Sequence, residues 1–230
     1  MDNILAIIPA RGGSKRVPRK NLKKILGVPL VAHAVLQAKE SKYINQIIVS
    51  TDDSEIESVA SDYGAQVISR PEEFRHDNTL MEADNILVDV VKRQEILGEI
   101  IDIIVLLYPT APLRRVSDID KTIEKVLNEG NDSSLSLVSD QGYYWRREKE
   151  SGELTPSNYN PNQRMPSVMH SYEQFKENKA VYVCTRDLLI NTSCRLGGEI
   201  GYVTMSSLDS VDIDTEEDLK LCEELMKLRK

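Results

Sequence analysis

Short apolar runs and 3.6-residue helical periods alternate along this chain from its first residues, and that alternation restricts the fold more than any single motif. Runs at 4–9, 46–51, 65–69, 101–107 and 134–139 read as strands. The first and fourth are nearly continuously apolar, the pattern of strands buried on both faces. Between them, 29–40 carries apolar residues at helical spacing, and 54–63 follows Asp52 and Asp53 as candidate N-caps and stops at Gly64. Further helices are expected at 80–94 and 117–129. Strands and helices in strict alternation imply an α/β fold, a mostly parallel twisted sheet with helices on both faces.

The pattern lapses from 141 to 178. That stretch holds Trp145, Tyr143, Tyr144, Tyr159 and Tyr172 with three prolines and little periodicity, and it reads as an inserted arm. Strands at 180–185 and 199–205 and a closing helix at 215–227 follow. The length of 230 residues suits one domain, 1–230, and no internal repeat or low-complexity linker interrupts it.

Composition removes several function classes. Apolar residues make up 40% of the chain, but unbroken apolar runs are only a few residues long, whereas a membrane-spanning helix needs about 20. No membrane association is expected. The N-terminus lacks the basic, apolar and small-residue succession of a secretory signal, so residence in the cytoplasm is expected. Cys184, Cys194 and Cys222 have neither disulfide-framework nor zinc spacing. With 29 Lys and Arg against 37 Asp and Glu, a net charge of −8 and 5% aromatics, the chain is a poor nucleic-acid binder, which needs a broad basic face.

Against that acidic background, seven of the fourteen residues from Arg11 to Lys24 are Lys or Arg, and no acidic residue occurs between Asp2 and Glu40. The loop leaves the carboxyl end of the first strand, where open α/β sheets bind ligands, and Gly12, Gly13 and Ser14 let backbone N–H groups approach an anion closely. The combination suits a polyphosphate. Neither the P-loop nor the dinucleotide glycine spacing is present, and the loop has no aromatic residue to stack a base of a nucleic acid. Asp212 and Asp214 are two apart, so in an extended segment both project from one face, an arrangement that suits Mg²⁺ bridging a triphosphate. Asp214 also reads as an N-cap ahead of an acidic first turn. Asp209 reads as a turn or supporting residue. His33, His76 and His170 have no ligand-like spacing and read as structural or exposed.

The run Ile8-Pro9-Ala10-Arg11-Gly12-Gly13-Ser14-Lys15 with Pro18, Lys20 and Asn21 resembles the signature of the acylneuraminate cytidylyltransferases, the CMP-sialic acid synthetases and their relatives. The resemblance continues through Ser50-Thr51-Asp52, Arg70-Pro71, Asp77, Pro109-Thr110-x-Pro112-Leu113-Arg114 and Asp209-Ser210-x-Asp212-Ile213-Asp214-Thr215. It implies a Rossmann-like nucleotidyltransferase fold, with the arm serving dimerisation. It implies transfer of a cytidylyl group from CTP to an α-keto sugar acid, with release of pyrophosphate, a requirement for Mg²⁺, and a homodimer whose arm reaches the neighbouring site.

By the same resemblance Ala10, Arg11, Gly12, Gly13, Ser14, Lys15, Lys20, Asn21, Arg70 and Asp77 face the nucleotide, and Asp212 and Asp214 hold the metal. Arg70 alone reads equally as a surface ion pair, and Asp77 as a helix cap. Lys15 and Lys20, both expected to face solvent, are the candidates for stabilising charge on the transferring phosphate. Tyr108, Thr110, Arg164, Lys179 and Tyr182 are the candidate sugar-side residues. Three of these depart from the family pattern: Tyr108 stands where glutamine is usual, Arg164 is displaced from the usual arginine, and Lys179 replaces a glycine. Lys179 reads either as exposed or as an added cation. The departures gather on the sugar side, so a modified nine-carbon acid of legionaminic or pseudaminic type is expected to serve at least as well as N-acetylneuraminic acid. The alternatives are 3-deoxy-manno-octulosonate as the sugar, against which Gly12-Gly13-Ser14-Lys15 argues, and a CTP-binding regulatory module without chemistry.

Overall fold

The computed structural model describes residues 2–74, 82–164 and 172–229. Its strands are β1 (Ile4–Pro9), β2 (Lys24–Ile25), β3 (Val28–Pro29), β4 (Gln46–Thr51), β5 (Gln66–Ser69), β6 (Ile103–Leu106), β7 (Ser133–Ser139), β8 (Trp145–Arg147), β9 (Leu154–Pro156), β10 (Phe175–Thr185) and β11 (Ile200–Met205). The helices are α1 (Leu30–Glu40), α2 (Ser54–Asp62), α3 (Glu82–Ile96), α4 (Val116–Leu127), α5 (Arg186–Thr192) and α6 (Glu216–Lys227). Seven strands form one sheet in the order β11-β7-β10-β6-β1-β4-β5, parallel except for β10, which runs against both of its neighbours. Among the described residues no helix is long and apolar enough to cross a membrane.

Strand β1 shows why the sheet is covered on both faces. Ile4, Ala6 and Ile8 pack on one side with Val31 and Val35 of α1, Ile56 of α2 and Ile119 and Ile123 of α4. Leu5 and Ile7 pack on the other with Leu87, Val90 and Val91 of α3 and Leu189 of α5. Successive side chains of a strand point to opposite faces, so a run apolar at every position needs a cover on each. Burying each Ile or Leu contributes about 1.5–3 kcal/mol. A smaller cluster of Ile25, Leu30, Leu113, Ile213 and Cys222 seats α6 against the β2–β3 hairpin.

Two expectations are corrected. Strand β10 begins at Phe175, so 175–178 belong to the sheet and the arm is shorter than expected. The arm carries the β8–β9 hairpin and a 3₁₀ turn at Pro161–Gln163. The polar sequence Lys176-Glu177-Asn178-Lys179 hid this part of the strand, because it pairs with β7 at the sheet's rim rather than in the core. Helix α5 was not expected; it is only seven residues long, and its start is fixed by Thr185, whose hydroxyl accepts from the Leu188 amide at 3.3 Å.

Strand β10 is irregular in a way that bears on the site. From Glu177 to Tyr182 it advances five residues while β7 advances two, from Leu137 to Leu135. The excess is a bulge, and Lys179 within it has φ 56°, in the left-handed region that favours glycine. The buried Asn178 carboxamide fixes the bulge. Its oxygen accepts from Ser136 Oγ (2.7 Å) and the Ala180 amide (3.1 Å), and its nitrogen donates to Ser210 Oγ (3.0 Å).

Candidate active site

The chain passes from β1 outward to β4 and β5, then returns to place β6 on the other side of β1. A crevice opens outside the carboxyl ends of strands at such a reversal, and a cavity of about 490 Å³ lies there. Pro9 reaches it from the end of β1, Arg11, Ser14, Lys15, Arg16, Lys20 and Asn21 from the stretch that follows, Arg70 from the end of β5, and Tyr108 from the end of β6. Ala83 and Ile86 of α3 and Asp214 complete the wall.

The loop is shaped by bonds to its neighbours. The Ala10 amide donates to Ser50 O and the Gly12 amide to Asp52 Oδ1, both at 2.9 Å. Asp53, not Asp52, caps α2, accepting from the Glu55 and Ile56 amides at 3.0 and 3.1 Å. A side chain at Gly12 would put its Cβ 2.5 Å from Asp53 Oδ2, and that carboxylate is also held by Arg19 at 2.9 Å. Gly12 thus serves close packing of loop on helix, with its N–H already taken. Gly13 is open, with nothing within 4 Å of where a Cβ would sit. The buried Asn21 donates from Nδ2 to Arg11 O at 2.9 Å and so fixes the loop from within.

The expectation that both lysines face solvent holds for Lys15 only. The Lys20 side chain is 15% exposed, and its Nζ donates to Ile213 O at 2.6 Å and lies 3.5 Å from Asp214 Oδ1. This cation, which lines the cavity, is anchored by the segment that carries the aspartates.

That segment lies in the connection between β11 and α6, outside any helix or strand. Ile213 is buried and its amide donates to Thr110 O at 2.8 Å. Asp212 and Asp214 lie within reach of one cation: Lys179 Nζ is 2.6 Å from Asp212 Oδ2 and 3.9 Å from Asp214 Oδ2. The bond to Asp212 holds the Lys179 ammonium above the usual lysine range. Arg16 adds a contact to Asp214 at 3.1 Å. Asp214 does not cap α6; Thr215 does, in a capping box with Asp218. The Asp214 carboxylate is therefore directed to the cations. Asp209 is a supporting residue, buried between Arg115 and Arg229.

The pair fits a hard divalent cation: two carboxylates converge closely enough for one ammonium to span them. Among the described residues no group of three or more His, Cys, Asp or Glu is placed to hold a metal ion. A metal here would take its remaining ligands from water and phosphate oxygens, as Mg²⁺ commonly does.

The sugar-side candidates divide. Tyr108 lines the cavity, and Thr110 sits beside the aspartate segment through its carbonyl. Tyr182 is buried behind Tyr108, edge to face with ring centroids 6.3 Å apart. Its hydroxyl donates to Glu177 Oε2 at 2.6 Å, and burial with that carboxylate raises it above the usual tyrosine range. Arg164 is exposed on the arm, 4.5 Å above the Tyr143 ring, and does not line the cavity. Asp77, His76 and His170 lie outside the described residues. His33 is structural, its Nε2 3.1 Å from Ile25 O and its pKa lowered by burial.

Two supporting side chains, Arg195 and Asp84, were missed in the sequence, and Arg114 was read only as part of a motif. Arg114 is fully buried and donates from Nη1 to Tyr108 O at 2.6 Å and Ala180 O at 3.1 Å, joining the β6 end to the bulge; burial pushes its pKa down to about 9. Arg195 stacks over Tyr182 at 4.6 Å and pairs with Asp84 at 2.9 Å. Only Arg114 lay in a recognisable motif; Arg195 and Asp84 are 111 residues apart and give no local signal.

A family model described as Cytidylyltransferase matches residues 5–230. The chain is 31% identical over 229 residues to post-translational flagellin modification protein B of Campylobacter coli, covering 99% of this chain and 96% of that one. It is also 31% identical to the CMP-N,N'-diacetyllegionaminic acid synthase of Legionella pneumophila, covering 98% and 97%. Against the N-acylneuraminate cytidylyltransferase A of Danio rerio identity is 31% over 96% of this chain, which spans 50% of that longer protein. Among solved structures, a CMP:2-keto-3-deoxy-manno-octonic acid synthetase complexed with CTP superposes with TM-score 0.73 at 19% identity, covering 100% of both chains. A 4-diphosphocytidyl-2C-methyl-D-erythritol synthase from Anaerococcus prevotii gives 0.67 at 12% identity over 100% of this chain and 97% of that one. The two superpositions bear on the fold.

Proposed function

The chain belongs to the cytidylyltransferase family, and from that premise we propose that it activates a sialic-acid-like nonulosonic acid with CTP, giving the CMP-sugar and pyrophosphate. The observation that carries this reading is the convergence of Arg11, Lys15, Lys20 and Asp214 on one cavity at the carboxyl edge of the sheet. A triphosphate needs cations, and a metal bridging it needs a carboxylate beside them.

In the proposed reaction the sugar's anomeric hydroxyl oxygen bonds to the α-phosphorus of CTP. The bond from that phosphorus to the bridging oxygen of the β-phosphate breaks, pyrophosphate leaves, and the hydroxyl proton passes to solvent. The loop from Ala10 to Ser14, with Arg11 and Arg70, receives the nucleotide, and Asn21 holds the loop's shape. Lys15 and Lys20 neutralise charge on the phosphate oxygens. Asp212 and Asp214 would hold Mg²⁺, which when bound would supply further neutralisation. Tyr108 and Thr110 meet the sugar, with Tyr182 supporting Tyr108.

The CMP-N,N'-diacetyllegionaminic acid synthase of Legionella pneumophila and the N-acylneuraminate cytidylyltransferase A of Danio rerio each match over nearly the whole of this chain at 31% identity, while the octulosonate synthetase matches at 19% and supports the fold alone. The departures from the family pattern at Tyr108, Arg164 and Lys179 lead us to favour a legionaminic- or pseudaminic-type acid, used at least as well as N-acetylneuraminic acid. The measurement is pyrophosphate release with CTP across a panel of these acids and 3-deoxy-manno-octulosonate, compared by kcat/KM. A clear preference for N-acetylneuraminic acid would overturn the assignment of the modified sugar. No release with any acid would leave the regulatory-module reading in its place.

The reading includes a cytoplasmic homodimer in which each arm reaches its neighbour's site. Tyr144, Trp145, Leu154 and Tyr172 are exposed on the arm, and Arg164 does not line the cavity of its own copy. Light scattering at micromolar concentration is expected to give twice the 26.0 kDa chain mass; a fully active monomer would refute it.

A further inference from the structure

Resting on the reading that Asp212 and Asp214 hold the metal, we propose that Lys179 is an internal counter-cation of that pair, and that a divalent metal enters by displacing it. A metal bound by both carboxylates must lie within reach of an oxygen of each. The Lys179 ammonium already does, at 2.6 Å from Asp212 Oδ2 and 3.9 Å from Asp214 Oδ2.

The lysine is placed there by more than a flexible stem. It sits at φ 56°, where glycine is the least strained residue. A lysine retained in that conformation is held by its surroundings, and the surroundings are identifiable. Asn178, the preceding residue, is buried, bonded to Ser136 of β7 at 2.7 Å and to Ser210, two residues before Asp212, at 3.0 Å. The bulge and the aspartate segment are thus pinned together, with the lysine between them.

Charge gives the device its consequence. Lys179 spans both carboxylates, and Lys20 and Arg16 lie 3.5 and 3.1 Å from Asp214. A metal approaching alone meets a pair already compensated and flanked by like charge. A triphosphate brings the anionic oxygens that can receive Lys20 and Arg16 and supply the metal's other ligands. Metal affinity is therefore low without nucleotide and rises with it.

The test is Mn²⁺ titration followed by the loss of its free-ion EPR signal, on the full chain with and without CTP. Lys179→Gly suits the backbone and removes the ammonium. It is expected to bind Mn²⁺ up to about fivefold more tightly than the unaltered protein when CTP is absent, the scale of one partly exposed ion pair. With CTP the gap should narrow, and Lys179→Arg should behave as the unaltered protein does. Lys179→Met carries the same expectation should the glycine variant fail to fold. Equal CTP-free affinity in Lys179→Gly, Lys179→Met and the unaltered protein, with Asp212→Asn weaker than all three, would overturn the displacement model and leave the metal assignment standing. No Mn²⁺ binding to any of them, with or without CTP, would remove both.

Discussion

Alanine at Lys20 is expected to lower kcat by roughly 10²–10³-fold, the usual effect of deleting one preorganised group that stabilises transition-state charge. Lys20 has the position such a group needs: anchored by Ile213 O at 2.6 Å, largely buried, and in the cavity lining. A cation fixed before the reaction needs little reorganisation during it. Lys15 is exposed at the rim, and Lys15→Ala should cost less in kcat and more in KM for CTP. Removing Lys20 also deletes a bond to the aspartate segment, worth about 1 kcal/mol, so Tm should fall by about 2–4 °C. Steady-state kinetics with a thermal melt separates the two effects. Unchanged turnover in both variants would end the assignment of the basic loop to CTP.

Asparagine at Asp212 is expected to reduce turnover by about 10²–10⁴-fold, with chelation by EDTA producing a similar loss in the unaltered enzyme. The substitution keeps the shape and removes the charge. Asp214→Asn should follow it. Because Thr215 and Asp218 form the cap of α6, Asp214→Asn should leave Tm nearly unchanged, where a capping role would have predicted a loss. Full activity in EDTA would contradict the metal role of the pair.

The parts legible in the sequence are those whose signal is local. Strands β1 and β4 fall at the expected residues, since a continuous apolar run flanked by helical periods admits few other readings. The basic loop was visible because cations concentrate there in an acidic chain, and the Asp212–Asp214 spacing because alternation alone fixes which side chains share a face. What stayed hidden depends on partners far along the chain. The contact of Lys179 with Asp212 spans 33 residues, and that of Lys20 with Ile213 spans 193. No window of sequence contains either. The N-terminal part of β10 was hidden because pairing at a sheet's rim requires no apolar residue, and the cap of α6 because Asp214 and Thr215 are both good capping residues.

The irregularity in β10 also settles a question of parity. Along an unbroken strand, residues five apart point to opposite faces, yet Glu177 and Tyr182 share one and are hydrogen-bonded at 2.6 Å. They can do so because the bulge holds three more residues than the facing stretch of β7, and an odd excess exchanges the faces. The carboxylate that fixes the Tyr182 hydroxyl is thus on the correct side only through the presence of Asn178, Lys179 and Ala180 together. Shortening or lengthening that stretch by one residue would carry Glu177 to the opposite face and leave the buried hydroxyl behind Tyr108 without its acceptor. The number of residues there is constrained independently of their identity.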